Sequence, residues 1–360
     1  MPIKINEKYQ WINEAGVLID TVMILLTIGL LLSFLLSLSL GANDAATPTD
    51  CAVGAGVISI KRAVFLFAVF TFIGAVTQGF MVIKTIGKGI VNEIDIVGAV
   101  SISIATSIWV LYCSYKGLDV SVTHSSIGCV TGYGLIAYGF SGLNYDVIKN
   151  VVISWVTSPI CAISLSYTLY KLTMKILMNK PWTYRLEKVI SYLLIFSLCF
   201  SAYSFGANDV GNATGAYVTV ATKIGKIPDY NTMLFLSILG ATGIAIGGLF
   251  WGRRVIETVA LKITRIDAIM GMIAELSNAL VVYLFTTIPY MIFGFGMPIS
   301  TSIASNSSII GVGLAKDYKA VNYRTILKLV IGWLSTLPMT MLITAIVYIT
   351  LKTIVTVPQI

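Results

Sequence analysis

Two short stretches of the chain combine residue types suited to holding ions inside a membrane. SLGANDAATPTDCAVGAG at 39–56 and FGANDVGNATGAY at 205–217 each set Gly-Ala-Asn-Asp within an apolar run. An ionised carboxylate at the bilayer midplane costs roughly 2.5 to 3.5 kcal/mol even on insertion scales. Asp44 and Asp209 are therefore expected at an internal site where a cation or a proton neutralises them. Asn43 and Asn208 place an amide beside each acid, and Thr47 and Asn212 follow at matching positions. A second pair of stretches, GLDVSVTHSSIGCVTGYGLIA at 117–137 and GMPISTSIASNSSIIGVGLA at 296–315, clusters hydroxyls: Ser121 and Thr123 in one, Ser300, Thr301 and Ser302 in the other. Amides and hydroxyls donate hydrogen bonds to an oxyanion, whereas carboxylates and freed backbone carbonyls coordinate Na+.

Gly, Asn and Asp are poor helix formers, and Pro48 follows the first motif, so both helices are expected to break within the membrane. Irregular backbone at that depth is tolerated only against protein or a wet cavity. Asn43 or Asp44 would cap a half-helix starting near Ala45, and Asn208 or Asp209 one starting near Val210. The positive end of each half-helix would face an anion. The interior of the spans carries no Lys or Arg, so cations must balance the anion. Moving a divalent anion into a negative-inside cell costs about 4.6 kcal/mol per 100 mV, which co-transported cations offset. His124 is a candidate proton relay, although its counterpart in the second stretch is Ile303. Glu275, in AIMGMIAELSNAL, is an acid in an apolar run and a further candidate.

The elements that must position these residues are membrane spans. The 360 residues are 57% hydrophobic and 11% charged, against about 25% charged in soluble domains. Apolar runs near the ~20 residues of a spanning helix fall at 17–40, 63–83, 96–115, 120–140, 147–170, 189–221, 232–251, 268–293, 296–315 and 326–351. The expected fold is an all-α polytopic membrane protein of 10–12 segments, with broken helices and re-entrant hairpins at the Ser/Thr stretches. Its divisions are a polar tail over 1–16, a first repeat over 17–170, a basic loop over 171–188, a second repeat over 189–351 and a short tail over 352–360. The motifs recur in the same order, so the two repeats descend from a duplication; an odd number of spans in each gives inverted topology.

Lys171, Lys175, Lys180, Arg185 and Lys188, and again Arg253, Arg254, Lys262 and Arg265, mark cytoplasmic segments. The net charge of +8 follows from this bias and implies no nucleic-acid partner. The first run is too long for a signal peptide and is expected to be retained. Cys51, Cys113, Cys129, Cys161 and Cys199 form no CxxC pair and are read as packing residues. With one histidine, no conventional transition-metal centre is expected.

On these residues the sequence resembles the PiT family of inorganic phosphate transporters, whose halves carry GANDVANA-like signatures followed by PVSTTH-like segments. The segment GLFWGRRVIETVALKIT at 248–264 extends the likeness. The resemblance implies a homodimeric, cation-coupled phosphate symporter of the cell membrane, with no cofactor beyond the coupling ion. Asp44 and Asp209 would then belong to the cation sites, and Asn43, Asn208, Ser121, Thr123, Ser300, Thr301 and Ser302 would surround phosphate. The sequence departs from the pattern at Thr47 and Pro48, at Asp119 in place of Pro, at Val122 in place of Thr and at Ile303 in place of His. These departures keep sulfate or another oxyanion open as the substrate, and protonation of Asp44 and Asp209 keeps H+ coupling open as the alternative to Na+. Outside transport, the residues leave a non-transporting anion sensor, or an intramembrane enzyme using Asp44 and Asp209 as an acid–base pair.

Overall fold

The computed structural model describes residues 5–115, 120–178, 181–225, 229–253, 255–257, 267–317 and 323–354. In lipid an apolar run satisfies its backbone only by closing its own hydrogen bonds, and each of the ten runs contains a helix. The helices are α1 (Ile5–Asp44), α2 (Asp50–Gly54), α3 (Ile60–Gln78), α4 (Phe80–Lys84), α5 (Ile96–Tyr115), α6 (Val122–Tyr138), α7 (Tyr145–Leu177), α8 (Tyr184–Thr214), α9 (Val218–Gly225), α10 (Asp229–Gly247), α11 (Ala268–Phe293), α12 (Thr301–Lys316) and α13 (Tyr323–Ile354).

Among the described residues, eight helical segments are long and apolar enough to cross a membrane, against the 10–12 segments expected. The shortfall lies in the Ser/Thr stretches. Helices α6 and α12 have 17 and 16 residues, about 25 Å at 1.5 Å per residue, short of the ~30 Å hydrocarbon core. The segment read as a polar tail over 1–16 is helical from Ile5. Asp119, Lys180, Arg254, Lys262, Arg265 and residues 355–360 lie outside the described residues.

The two halves interlock by exchange. Helix α1 packs on α10 and α8 on α3, while α6 packs on α13 and α12 on α7. The glycines that open the two Gly-Ala-Asn-Asp motifs make the same contact in each half. Gly41 lies directly against the backbone carbonyl of Ile244 on α10, and Gly206 against that of Thr71 on α3. Gly132 and Gly311, each eleven residues after the first Ser of its Ser/Thr stretch, repeat the pattern against Met341 and Ile163. Small residues at such points let helix backbones approach closely, the usual basis of helix packing in lipid.

The expected breaks are only half realised. Helix α1 ends at Asp44, where a turn (Thr47 N to Asp44 O, 3.0 Å) carries the chain past Pro48 into α2. Helix α8 runs without interruption through Asn208 and Asp209 to Thr214, followed by a tight turn over Gly215–Tyr217. The second motif contains no proline, and its Asn side chains bond to other helices, so tertiary contacts outweigh weak propensity. Asn208 and Asp209 therefore cap nothing. The N-cap position of α2 is Thr49, five residues past Asp44, and it makes no side-chain capping bond.

Residues 296–300 are non-helical and buried, and Ser300 is extended. Pro289 within α11 has no N–H, which leaves the Phe285 carbonyl without its helical donor. Met297 N–H takes that place at 3.2 Å, and Gly296 N–H donates to Met81 O at 3.1 Å. The non-helical strand leading to Ser300 is thus paired at depth, as a buried segment must be.

Candidate functional site

The N-termini of α6 and α12 meet. Ser121 caps α6 by accepting from His124 N–H (3.1 Å), and Ser300 caps α12 by accepting from Ile303 N–H (3.2 Å). Thr123 Oγ1 reaches across to donate to the carbonyl of Ile299, immediately before Ser300, at 3.2 Å. The helices then diverge. Helix α6 ends near Leu143 and Asn144, where α7 begins; α12 ends at Lys316, which lines a cavity with Tyr170 and Met174 near the end of α7. The 33 residues of α7 extend about 50 Å, so the two helices run from a shared centre toward opposite faces. Each helix start leaves first-turn N–H groups beyond the one its cap satisfies, and both positive ends face the same point.

Below this junction stands the second Asn-Asp motif. Asp209 is 2% exposed. Its Oδ1 accepts from Asn212 Nδ2 at 2.9 Å and lies 3.5 Å from Thr123 Oγ1, to which Asn212 Nδ2 also donates at 3.0 Å. Thr301 borders the same carboxylate, and Asp44 is the charged group acting on it. Ser126 Oγ donates to the Asn212 carbonyl at 3.1 Å, tying α6 to α8. Three acceptor atoms in this buried region, Asp209 Oδ2, Asn208 Oδ1 and Asn212 Oδ1, have no hydrogen-bond donor among the described residues. Buried unpaired acceptors are costly, and a small hard cation is a suitable partner for such oxygens.

The predicted residues thus divide. Ser121, Thr123, Ser300, Thr301, Asp209 and Asn212 come together, with Asp44 as their charged neighbour. Asn208 is on the same helix but spends its amide hydrogens on Thr286 Oγ1 (2.8 Å) and Met297 O (3.1 Å). His124 is buried against the Trp155 ring, centroids 3.9 Å apart, and Trp155 Nε1 donates to Pro298 O at 2.9 Å. Ser302 is half-buried in the first turn of α12. The first motif behaves differently: Asn43 is exposed and bonds to Ser39 on its own helix at 3.4 Å, while Asp44 and Thr47 are half-buried.

Glu275 lies apart from this centre. It is buried with Cys51 and near Asp50, and it faces Ser201 and Asn278. Ser201 is eight residues before Asp209 on α8, about 12 Å along the axis. Cys51, read from the sequence as packing, in fact stands between two acids. Trp155, Ser126 and Thr286 were missed as well; each is an ordinary-looking polar or aromatic residue in an apolar run, and only the fold brings it to the site.

Architecture and site together define a membrane transport protein. The model of the phosphate transporter family matches residues 40–344, and the chain belongs to that family. It is 30% identical over 403 aligned residues to a relative carried under the name phosphate permease in Pyrococcus furiosus, covering 90% of this chain and 95% of that one. A relative of the same name in Pyrococcus horikoshii is 31% identical over 398 residues, covering 89% and 96%. Among solved structures, one titled the sodium-dependent phosphate transporter superposes with a TM-score of 0.81 at 28% identity, covering 92% of this chain and 100% of that one. The chain is accordingly a transporter and not an intramembrane enzyme.

Proposed function

We propose that the protein imports inorganic phosphate across the cell membrane by symport with Na+, through alternating access. The observation that carries this reading is the junction of two capped helix starts above Asp209 and Asn212. The helix ends offer N–H donors and positive potential to an oxyanion, and the unpaired oxygens beside them offer ligands to a cation. Phosphate is favoured over sulfate because at neutral pH it also carries a proton to donate, and the Asp209 carboxylate is an acceptor at the junction. The solved relative's title supports Na+ as the coupling ion.

Alternating access rests on the difference between the halves. Equivalent motifs occupy unlike environments, Asn43 exposed and Asn208 sealed. A chain of two interlocking inverted repeats moves between two such states when the halves trade environments. The proposed assembly is a homodimer.

The test is uptake of radiolabelled phosphate into proteoliposomes, with Na+ present or replaced by choline, across a pH series and with sulfate as competitor. Uptake that requires Na+ and that excess sulfate leaves intact is expected. Uptake that persists in choline and follows the proton gradient would assign H+ instead, and suppression by sulfate would reassign the substrate.

A further inference from the structure

A second polar cluster lies outside the transport centre, toward the basic face. Asp50 and Cys51 open α2, and Glu275 sits in the second turn of α11; one donor atom from each lies within 4.8 Å of the other two. Cys51 and Glu275 are each 1% exposed. Both carboxylate oxygens of Glu275 and Oδ1 of Asp50 lack a hydrogen bond among the described residues, although Ser201, Asn278 and Cys51 border the Glu275 carboxylate. Asn278, one turn beyond Glu275, donates its amide to Ser201 Oγ at 3.1 Å and leaves its own Oδ1 unpaired. Buried acceptors with two acids and a thiol among them form a donor set for which the hydrogen bonds and ion pairs among the described residues supply no basic partner.

From this geometry we infer a metal-binding site for a borderline-soft divalent cation of the Zn2+ class, held by Asp50, Cys51 and Glu275 with Asn278 Oδ1 at its edge. Two carboxylates and the Cys51 thiolate carry three negative charges, which a divalent ion offsets further than Na+ does. Sulfur is a poor ligand for Na+, Mg2+ or Ca2+, which take oxygen, whereas Zn2+ accepts mixed sulfur and carboxylate ligands. A cavity lies next to the elements that carry these residues, although none of the four lines it. It has a volume of about 590 Å³ and is lined by Ala55, Gly56 and Val57, just past α2, and by Ala268 and Ile269 in the first turn of α11. Tyr170 and Met174 close it on the side of the basic 171–188 segment. The ion would pin α2, which follows the break in the first half, to α11 of the second half, and so bias the conformation that the transport cycle must leave. This site is independent of the coupling-ion reading at Asp44 and Asp209.

The purified full chain in detergent is titrated with Zn2+, and bound metal is counted by mass spectrometry; Co2+ in its place reports sulfur ligation by thiolate-to-metal absorption. One Zn2+ per chain is expected, with affinity falling at least about tenfold in Glu275→Gln and in Asn278→Ala. Cys51→Ser abolishes the Co2+ charge-transfer band. Asp209→Asn leaves Zn2+ binding unchanged, which separates this site from the transport centre, and gel-filtration profiles verify that each variant is folded. Failure of the wild-type chain to retain Zn2+, retention unaltered in both Glu275→Gln and Cys51→Ser, or exclusive binding of Na+ at the cluster would overturn the inference.

Discussion

The Thr123 hydroxyl and the Ile299 carbonyl oxygen, 176 positions apart in sequence, are 3.2 Å apart in space. This contact joins the first turn of α6 to the residue entering α12, and so ties one repeat to the other at the point where both helix starts converge. Thr123 also receives the Asn212 amide and faces Asp209. One hydroxyl therefore links the anion-facing helix ends to the acid below them.

Thr123→Val keeps the side-chain shape and removes that link. A hydrogen bond to a charged group is worth about 1.5–3 kcal/mol, so phosphate affinity is expected to fall roughly 10- to 150-fold with little change in folded yield. Thr131→Val serves as the control, because Thr131 donates to the Ile127 carbonyl of its own helix, at 2.8 Å, and is away from the junction. Equilibrium phosphate binding to the detergent-solubilised variants checks it; equal affinity in the two variants would remove Thr123 from the site.

Asp44→Asn and Asp209→Asn each preserve size and delete one negative charge. Under the symport reading, both abolish Na+-driven phosphate uptake in proteoliposomes while the protein still inserts and purifies. Asp209→Asn is expected to be the more stable of the two relative to wild type, since it takes an acid that is 2% exposed out of a site where burial penalises charge. Undiminished Na+-driven flux in both variants would defeat the cation assignment.

Much of this was legible before the fold was known. Repetition of Gly-Ala-Asn-Asp and of the Ser/Thr stretch marked both halves, and the cost of a carboxylate in lipid marked Asp209 as internal. The capping groups were misjudged, because the sequence shows which residues are able to cap but not where a helix stops. Ser121 and Ser300 make the caps, while Asn208 and Asp209 ride inside a continuous α8 held by contacts with α3, α6 and α11. The pairing of Cys51 with Glu275 was invisible for a plainer reason. Two residues more than 200 positions apart meet only through the packing of α2 on α11, and no spacing rule encodes that.

The exchange of contacts between halves has a stability consequence. A methyl group added at Gly41 would press on the Ile244 carbonyl, and one added at Gly206 on the Thr71 carbonyl. Overpacking of this kind costs typically about 1–3 kcal/mol. Gly41→Ala and Gly206→Ala are therefore each expected to lower the Tm of the detergent-solubilised protein, and to do so by similar amounts because the contacts are equivalent. Thermal unfolding followed by tryptophan fluorescence measures both; a shift confined to one variant would show that the halves do not share this packing.

Pro289 separates stability from transport. Its ring leaves the Phe285 carbonyl without a helical donor, and Met297 N–H occupies it, which fixes the non-helical approach to Ser300. Pro289→Ala restores an N–H that competes for the same carbonyl. Helix α11 then gains its missing bond, whereas the segment over 296–300 loses the Met297 bond and keeps Gly296 N–H to Met81 O. The variant is expected to unfold at an equal or higher temperature than wild type while its phosphate uptake falls several-fold, because the Ser300 cap and the Ile299 carbonyl that Thr123 grips are no longer held in place. Thermal unfolding and proteoliposome uptake measured on the same preparation distinguish the two effects. Wild-type uptake would mean that the approach to α12 is positioned by something other than this carbonyl.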